Sequence, residues 1–120
     1  MSEDRHLTPE EIAAAADLLV EARLSQRLLD GIPEKLRPRH VADAHAIQDA
    51  VRVKLGGTVG AIKVNAPREG AVFRGILEPE RLVRSPAHLS ASGAGMMGIE
   101  SEIAFLFRDG VPASDRAQDY

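Results

Sequence analysis

Hydrophobic residues in the first part of the chain recur at helical spacing, and the clearest start signal lies at Thr8 and Pro9. Thr8 is a favoured N-cap residue, proline suits the first helical position, and Glu11 is placed to bond back to the cap. A broad apolar stripe follows, and Gly31 marks the stop. The pattern therefore predicts a helix over residues 9–29.

A second helical pattern runs over residues 40–55. Its apolar positions recur at helical intervals, and glycines at 56 and 57 end it. Gln48 interrupts the apolar stripe, and a buried, hydrogen-bonded amide is the expected role for such a residue. We therefore expect two helices in an N-terminal helical region, residues 1–57.

The second half of the chain changes to short apolar runs separated by turn residues, which is typical of strands. Residues 58–64 predict a first strand, and residues 71–77 predict an extended segment interrupted by Gly75. Residues 82–83 predict the start of a further short strand, and the clearest strand pattern covers residues 99–107. Two helices followed by a mixed β-sheet give an α+β fold.

Composition and charge narrow the class of protein. A chain of 120 residues, 44% of them hydrophobic, suits one soluble domain, and its apolar runs are far shorter than the roughly 20 residues of a membrane-spanning helix. The polar N-terminus shows no secretory signal, which indicates a cytoplasmic protein. The absence of cysteine excludes disulfides and thiolate metal sites. A net charge of -3 with scattered basic residues argues against a nucleic-acid partner.

Two carboxylates stand close together on the predicted strand over residues 99–107. Side chains alternate across a strand, so Glu100 and Glu102 share one face, with their Cα atoms about 6.5 Å apart. That face becomes apolar at Ala104 and Leu106, which is not typical of a fully solvated surface. Paired oxygen ligands suit a hard divalent cation such as Mg²⁺ or Mn²⁺. The alternative is that both glutamates face solvent on a half-exposed strand.

Lys63 is the second candidate for chemistry. It lies between Ile62 and Val64 on the first predicted strand, so its ammonium is expected to be partly desolvated and to serve as a charge partner or an acid/base. The alternative is an ordinary lysine on an edge strand.

The histidines show no metal-ligand spacing along the chain. His40 and His45 are five residues apart and fall on different helical faces, and His6 and His88 lie elsewhere. Each is therefore predicted to be a surface or capping residue.

Four segments stand in a recognisable order. They are His-Ala-Ile-Gln at 45–48, Gly-Ala-Ile-Lys-Val at 60–64, Phe-Arg-Gly at 73–75 and Gly-Ile-Glu-Ser-Glu-Ile-Ala-Phe at 98–105. Taken together they resemble the 2-keto-4-pentenoate hydratase family, N-terminal portion, within the fumarylacetoacetate hydrolase superfamily. The resemblance implies the front part of a fumarylacetoacetate hydrolase-like β-roll, with residues 58–120 as the start of its β-rich catalytic region.

The resemblance also implies an enzyme, a metal-dependent hydro-lyase that adds water to a 2-oxo-4-pentenoate-type acid of aromatic catabolism through a metal-stabilised enolate. Glu100 and Glu102 match the family's first two ligands of the Mg²⁺ or Mn²⁺ ion, and Lys63 matches its active-site lysine. Val72 stands where several members carry aspartate, and Arg74 becomes a candidate contact for a substrate carboxylate.

Other functions share the same residues. A metal-stabilised enolate also serves 4-oxalocrotonate decarboxylases and the C–C hydrolases of acylpyruvates and fumarylacetoacetate. A non-catalytic truncated piece or assembly partner is a further alternative, because the family's third acidic ligand lies further along than Tyr120. Family members are generally oligomeric, so the resemblance implies a homo-oligomer that takes a small-molecule 2-oxo acid as its substrate.

Overall fold

The computed structural model describes residues 5–65, 69–91 and 98–110. The architecture is α+β, with two helices followed by a two-stranded antiparallel sheet, which confirms the predicted class. The regular elements are α1 (Pro9–Leu24), α2 (Val41–Lys54), β1 (Ala61–Asn65) and β2 (Phe73–Leu77), with single 3₁₀ turns at Glu34–Leu36 and Pro79–Arg81. None of the helices in these ranges has the length and apolar character needed to span a bilayer.

Helix α1 begins where the sequence predicts because its capping box forms. The Thr8 hydroxyl accepts a hydrogen bond from the Glu11 amide at 3.3 Å, and the Glu11 carboxylate accepts one from the Thr8 amide at 2.9 Å. Arg5 donates two further hydrogen bonds to that carboxylate, at 2.7 and 2.6 Å. These contacts lower the pKa of Glu11 to about 2, chiefly through Arg5 and then through the Thr8 amide. The N-terminal arm, residues 5–8, is thereby fixed to the first turn of α1.

The two helices differ in how well their ends follow the sequence pattern. Helix α1 stops at Leu24, so the predicted end at residue 29 is wrong. Ser25 bonds through its hydroxyl to the carbonyl of Glu21 at 2.8 Å, and Gln26 takes a left-handed conformation with φ of 54°, where a helix cannot continue. Helix α2 ends close to the predicted position, with Gly56 at φ of 66° after the C-cap residue Leu55.

The hydrophobic core lies where α1 packs against α2. Its buried cluster consists of Leu7, Ala15, Leu36 and Ile47, and the partly buried side chains around it are Ile12, Leu19, Ile32 and Val51. Ile47 is 4% exposed and is the buried apolar residue of α2. The core therefore lies between the two helices, and none of its residues belongs to the sheet.

Strands β1 and β2 pair with Lys63 opposite Gly75 and Val64 opposite Arg74. Gly75 therefore belongs to a continuous strand, and the predicted interruption at this glycine is wrong. The first strand begins at Ala61, later than the sequence pattern predicts. This register decides which side chains share a face of the sheet.

The predicted strands over residues 99–107 and 82–83 are not formed. A strand needs a hydrogen-bonded neighbour, and the sheet in the described part of the chain consists of β1 and β2 alone. Large apolar side chains in residues 99–107 are exposed instead. Ile99 and Leu106 are 99% exposed, and Phe105 is 82% exposed. Residues 111–120, the end of the predicted β-rich region, lie outside the described residues.

Candidate functional site

Lys63 meets both predicted metal-ligand glutamates, forming the Lys63–glutamate cluster (Lys63, Glu100 and Glu102). The Lys63 ammonium nitrogen lies 2.8 Å from Glu100 Oε2 and 2.6 Å from Glu102 Oε1. Lys63 projects from β1, whereas both glutamates lie in the irregular segment 98–110. Side-chain ion pairs, rather than the expected strand pairing, therefore connect this segment to the sheet.

The Lys63–glutamate cluster keeps its lysine charged. Hydrogen bonds to Glu100 and then to Glu102 raise the pKa of Lys63 above its ordinary value, and Lys63 in turn lowers the pKa of Glu100. The Lys63 side chain is 47% exposed, so its ammonium is less desolvated than the sequence predicts. A lysine with a raised pKa is a poor base at neutral pH, and the geometry favours a charge partner or hydrogen-bond donor.

The donor set of the cluster suits a hard divalent cation. Glu100 and Glu102 each direct an oxygen at the same ammonium nitrogen, so the two oxygens face one point in space. Carboxylate oxygens are ligands that Mg²⁺ and Mn²⁺ prefer, with water and substrate oxygens filling the other positions. A dication at that point competes with the Lys63 ammonium, because both are attracted to the same carboxylates. The residues present therefore fit two ligand positions.

Arg74, the predicted contact for a substrate carboxylate, lies on the opposite side of the sheet from Lys63. Arg74 pairs with Val64 and Lys63 pairs with Gly75, so the two long side chains occupy alternate positions and leave opposite faces. The Arg74 guanidinium is bound to Asp49 on α2, with Nη2 at 2.6 Å from Oδ2. The structure thus does not bring Arg74 into the Lys63–glutamate cluster.

Three side chains of α2 hold Arg74, and the sequence pattern did not connect them with it. The Arg74 amide donates to His45 Nε2 at 3.3 Å, and Gln48 Nε2 donates to the Arg74 carbonyl at 3.4 Å. With Asp49, these residues occupy positions i, i+3 and i+4 of α2 and therefore share one face of the helix. That shared face is the sequence signal that could have grouped them. Gln48 makes a hydrogen bond through Nε2 as predicted, but it is half-buried and its Oε1 has no partner within the described residues. His45 is half-buried and joins α2 to β2, so its predicted surface or capping role is wrong.

A second polar cluster lies at the start of α2. This histidine cluster (His6, His40 and Asp43) has His6 Nδ1 at 2.8 Å from Asp43 Oδ1, and its two histidine rings have centroids 4.2 Å apart. Burial acts to raise the pKa of Asp43, but hydrogen bonding and charge attraction from His6 outweigh it and lower that pKa. His6 is exposed and His40 is the N-cap residue of α2, as predicted for both. Their spacing along the chain did not show that they meet, because His6 comes from the arm before α1 rather than from α2.

An open cavity of about 260 Å³ lies near the end of α2, away from Lys63. Arg23 and Glu78, two residues of its lining, form a two-pronged ion pair with distances of 2.7 and 3.0 Å. Because these charged groups satisfy one another, the cavity offers no free charge to a ligand from this pair, and we assign no chemistry to it.

No family model matches the chain, and neither a curated protein nor a solved structure does. The hydratase family is therefore a hypothesis for this chain. It rests on the four ordered sequence segments and on the meeting of Lys63 with Glu100 and Glu102.

Proposed function

We propose that this chain supplies part of the active site of a metal-dependent 2-oxo acid hydratase, a hydro-lyase that adds water to a 2-oxo-4-pentenoate-type substrate. The observation that carries the proposal is the contact of the Lys63 ammonium with Glu100 and Glu102, at 2.8 and 2.6 Å. The family resemblance assigns these same residues to the active-site lysine and the first two metal ligands. Their convergence from separate parts of the chain supports that assignment.

Glu100 and Glu102 would hold the Mg²⁺ or Mn²⁺ ion through their carboxylate oxygens. Bound there, the ion supplies Lewis acidity toward the 2-oxo and carboxylate oxygens of the substrate. Two glutamates leave most positions of an octahedron to water and substrate. The chain by itself is therefore expected to bind the cation weakly, with a dissociation constant on the order of 10⁻³ M.

Lys63 acts as a protonated donor in this proposal. Its raised pKa keeps the ammonium charged at neutral pH. With a cation held by the two glutamates, the Lys63 ammonium would be available to donate to an anionic oxygen of the substrate and to stabilise negative charge there. Two carboxylates, a dication and an ammonium leave a net positive charge, which favours an anionic 2-oxo acid.

The proposal includes a homo-oligomer in the cytoplasm, with a small 2-oxo acid as its ligand. Ile99, Phe105 and Leu106 are 99%, 82% and 99% exposed in the single chain. Large apolar side chains grouped in one segment mark interaction surfaces. A second copy of the chain that covers this segment would also shield the neighbouring Glu100 and Glu102 from water.

A structural role for the same cluster is the competing interpretation, and the exposure of its glutamates favours it. The side chains of Glu100 and Glu102 are 75% and 50% exposed, and exposed ion pairs tie segments together without any metal. The chain would then be a non-catalytic piece or an assembly partner. Among the catalytic alternatives, decarboxylation and C–C hydrolysis would use the same residues as hydration. Identifying the product formed from each type of substrate would distinguish the three reactions.

Titration of the full chain with Mn²⁺, followed by electron paramagnetic resonance, separates the catalytic from the structural interpretation. The proposal predicts one weak site whose affinity falls at least about tenfold in the Glu100→Gln and Glu102→Gln double variant, because both charged ligands are lost. Glu80→Gln alters an exposed glutamate of the 3₁₀ turn and is the matched control. Equal Mn²⁺ binding by the double variant and the unchanged chain would assign the cluster to the structural role.

A further inference from the structure

The histidine cluster contains buried polar atoms without a protein partner. The Asp43 side chain is only 5% exposed, and its Oδ2 atom makes no hydrogen bond within the described residues. The Nε2 atom of His40 is likewise buried and has no partner there. Buried polar atoms are nearly always hydrogen-bonded or coordinated in folded proteins, so these two atoms point to a ligand.

The two side chains with unpartnered atoms, Asp43 and His40, converge with a third, His6. One ligand atom from each of His6, His40 and Asp43 lies within 4.8 Å of the other two. His40 is the N-cap residue of α2 and Asp43 lies in its first turn, so the helix fixes both. His6 is brought to them by the N-terminal arm, where Arg5 is held by Glu11. Two separate elements thus present three donors to one place.

We propose that the histidine cluster binds Zn²⁺. Two imidazole nitrogens and a carboxylate oxygen suit Zn²⁺, whereas Mg²⁺ and Ca²⁺ select sets of oxygen ligands. Three protein ligands leave the fourth tetrahedral position to water or to an incoming ligand. The buried negative charge of Asp43 is offset by the ion. This site is separate from the Lys63–glutamate cluster and does not depend on the hydratase proposal.

Binding requires a small closure of the histidine cluster. Zinc bonds of about 2.0–2.2 Å in a tetrahedral arrangement place two ligand atoms roughly 3.4 Å apart. The ligand atoms of the cluster lie within 4.8 Å of one another, so the wider separations have to shorten by about an ångström. The His6 side chain is 64% exposed and lies outside any helix or strand, so rotation of its ring disturbs little packing. His40 and Asp43 stay in place on α2 while His6 closes over the ion.

A bound ion would cross-link the N-terminal arm to α2. His6 precedes α1, whereas His40 and Asp43 start α2, so the metal adds a tie between the two helices beside their hydrophobic core. A ligand that binds only the folded chain stabilises it by mass action. The midpoint of thermal unfolding should therefore rise with Zn²⁺ concentration.

Calorimetric titration of the full, tag-free chain with Zn²⁺ tests this site. We expect one Zn²⁺ per chain and a loss of affinity greater than about 100-fold in His6→Ala, because removing a ligand costs more than removing a group that only orients one. His88→Ala alters another exposed histidine and should keep the affinity of the unchanged chain. The Glu100→Gln and Glu102→Gln double variant should keep it as well, which separates this site from the Lys63–glutamate cluster.

Folding and coordination are checked on the same variants. Circular dichroism without metal checks that His6→Ala is folded, which we expect because the His6 side chain is exposed. Nuclear magnetic resonance of the ring nitrogens should show Zn²⁺-dependent shifts for His6 and His40 but not for His88. The proposal is overturned by the absence of a stoichiometric Zn²⁺ site, by unchanged affinity in folded His6→Ala, or by an equal loss in His88→Ala.

Discussion

The side chains of Lys63 and Arg74 leave opposite faces of the two-stranded sheet, because the two residues occupy adjacent rungs of the β1–β2 register. Lys63 faces the glutamate at 102, at 2.6 Å, and Arg74 faces Asp49 on α2, also at 2.6 Å. The sheet therefore separates two groups that the family resemblance assigns to one active site. Cation binding and the α2–β2 contact are expected to respond to different substitutions.

Replacing Arg74 by methionine should weaken the contact between α2 and β2 without changing Mn²⁺ affinity. The substitution removes a partly exposed ion pair with Asp49, so the free energy of unfolding should fall by about 0.5–1 kcal/mol in a urea titration. A fall in Mn²⁺ affinity as large as that of the double glutamate variant would show that Arg74 acts at the Lys63–glutamate cluster.

Replacing Lys63 by methionine should raise the pKa of Glu100 toward its ordinary value. The hydrogen bond and the charge of Lys63 are the main causes that hold this pKa down. Carboxyl resonances followed by nuclear magnetic resonance across the acid range measure the change directly. Lys54→Met removes a comparable ion pair with Asp17 and is the control, because it should not change the pKa of Glu100. Identical titration of Glu100 in Lys63→Met and the unchanged chain would disprove the contact.

The ion pair between Arg5 and Glu11 should make stability depend on pH in the acid range. The folded chain has a Glu11 pKa of about 2 against an ordinary value of 4.5, so the stabilisation is fully present above pH 4.5 and is lost as the pH falls toward 2. Glu11→Gln keeps an oxygen acceptor for the Thr8 amide but removes the charge. Its deficit in unfolding free energy should therefore be largest near neutral pH and vanish near pH 2. A deficit that is independent of pH would contradict this origin.

The packing of α1 against α2 predicts unequal costs for truncating two apolar residues of α2. Ile47 is 4% exposed, so Ile47→Ala should lower the free energy of unfolding by about 2–5 kcal/mol. Val53 is 66% exposed, and Val53→Ala should change it by no more than about 0.5 kcal/mol. Chemical denaturation measures the free energy of unfolding of both variants. Equal losses of that free energy would show that Ile47 is not part of the core.

Local signals explain the parts of the fold that the sequence predicts well. The capping box of Thr8 and Glu11 needs only residues three apart, and it forms at the predicted start of α1. Gly56 ends α2 close to its expected position for a similarly local reason. The predicted end of α1 is wrong because Ser25 and Gln26 stop the helix before Gly31 is reached.

Non-local contacts explain the rest. The alternating pattern over residues 99–107 indicates a strand but does not specify a neighbour, and none forms within the described part of the chain. Glu100 still reaches Lys63, because opposite charges attract without a shared ladder. The contact of His6 with Asp43 joins positions 37 apart, and no spacing rule within one helix shows it. Candidate residues could thus be chosen from the sequence, but not the sides of the fold on which they meet.

The most direct measurement of the proposed function is the Mn²⁺ affinity of the full chain with and without pyruvate, a small 2-oxo acid. If the Lys63–glutamate cluster holds a cation that accepts a 2-oxo acid, each ligand must tighten the binding of the other. We expect pyruvate to increase Mn²⁺ affinity about fivefold or more in the unchanged chain, and this increase to disappear in Lys63→Met. A Mn²⁺ affinity that pyruvate leaves unchanged, or an increase of the same size in Lys63→Met, would contradict the proposal.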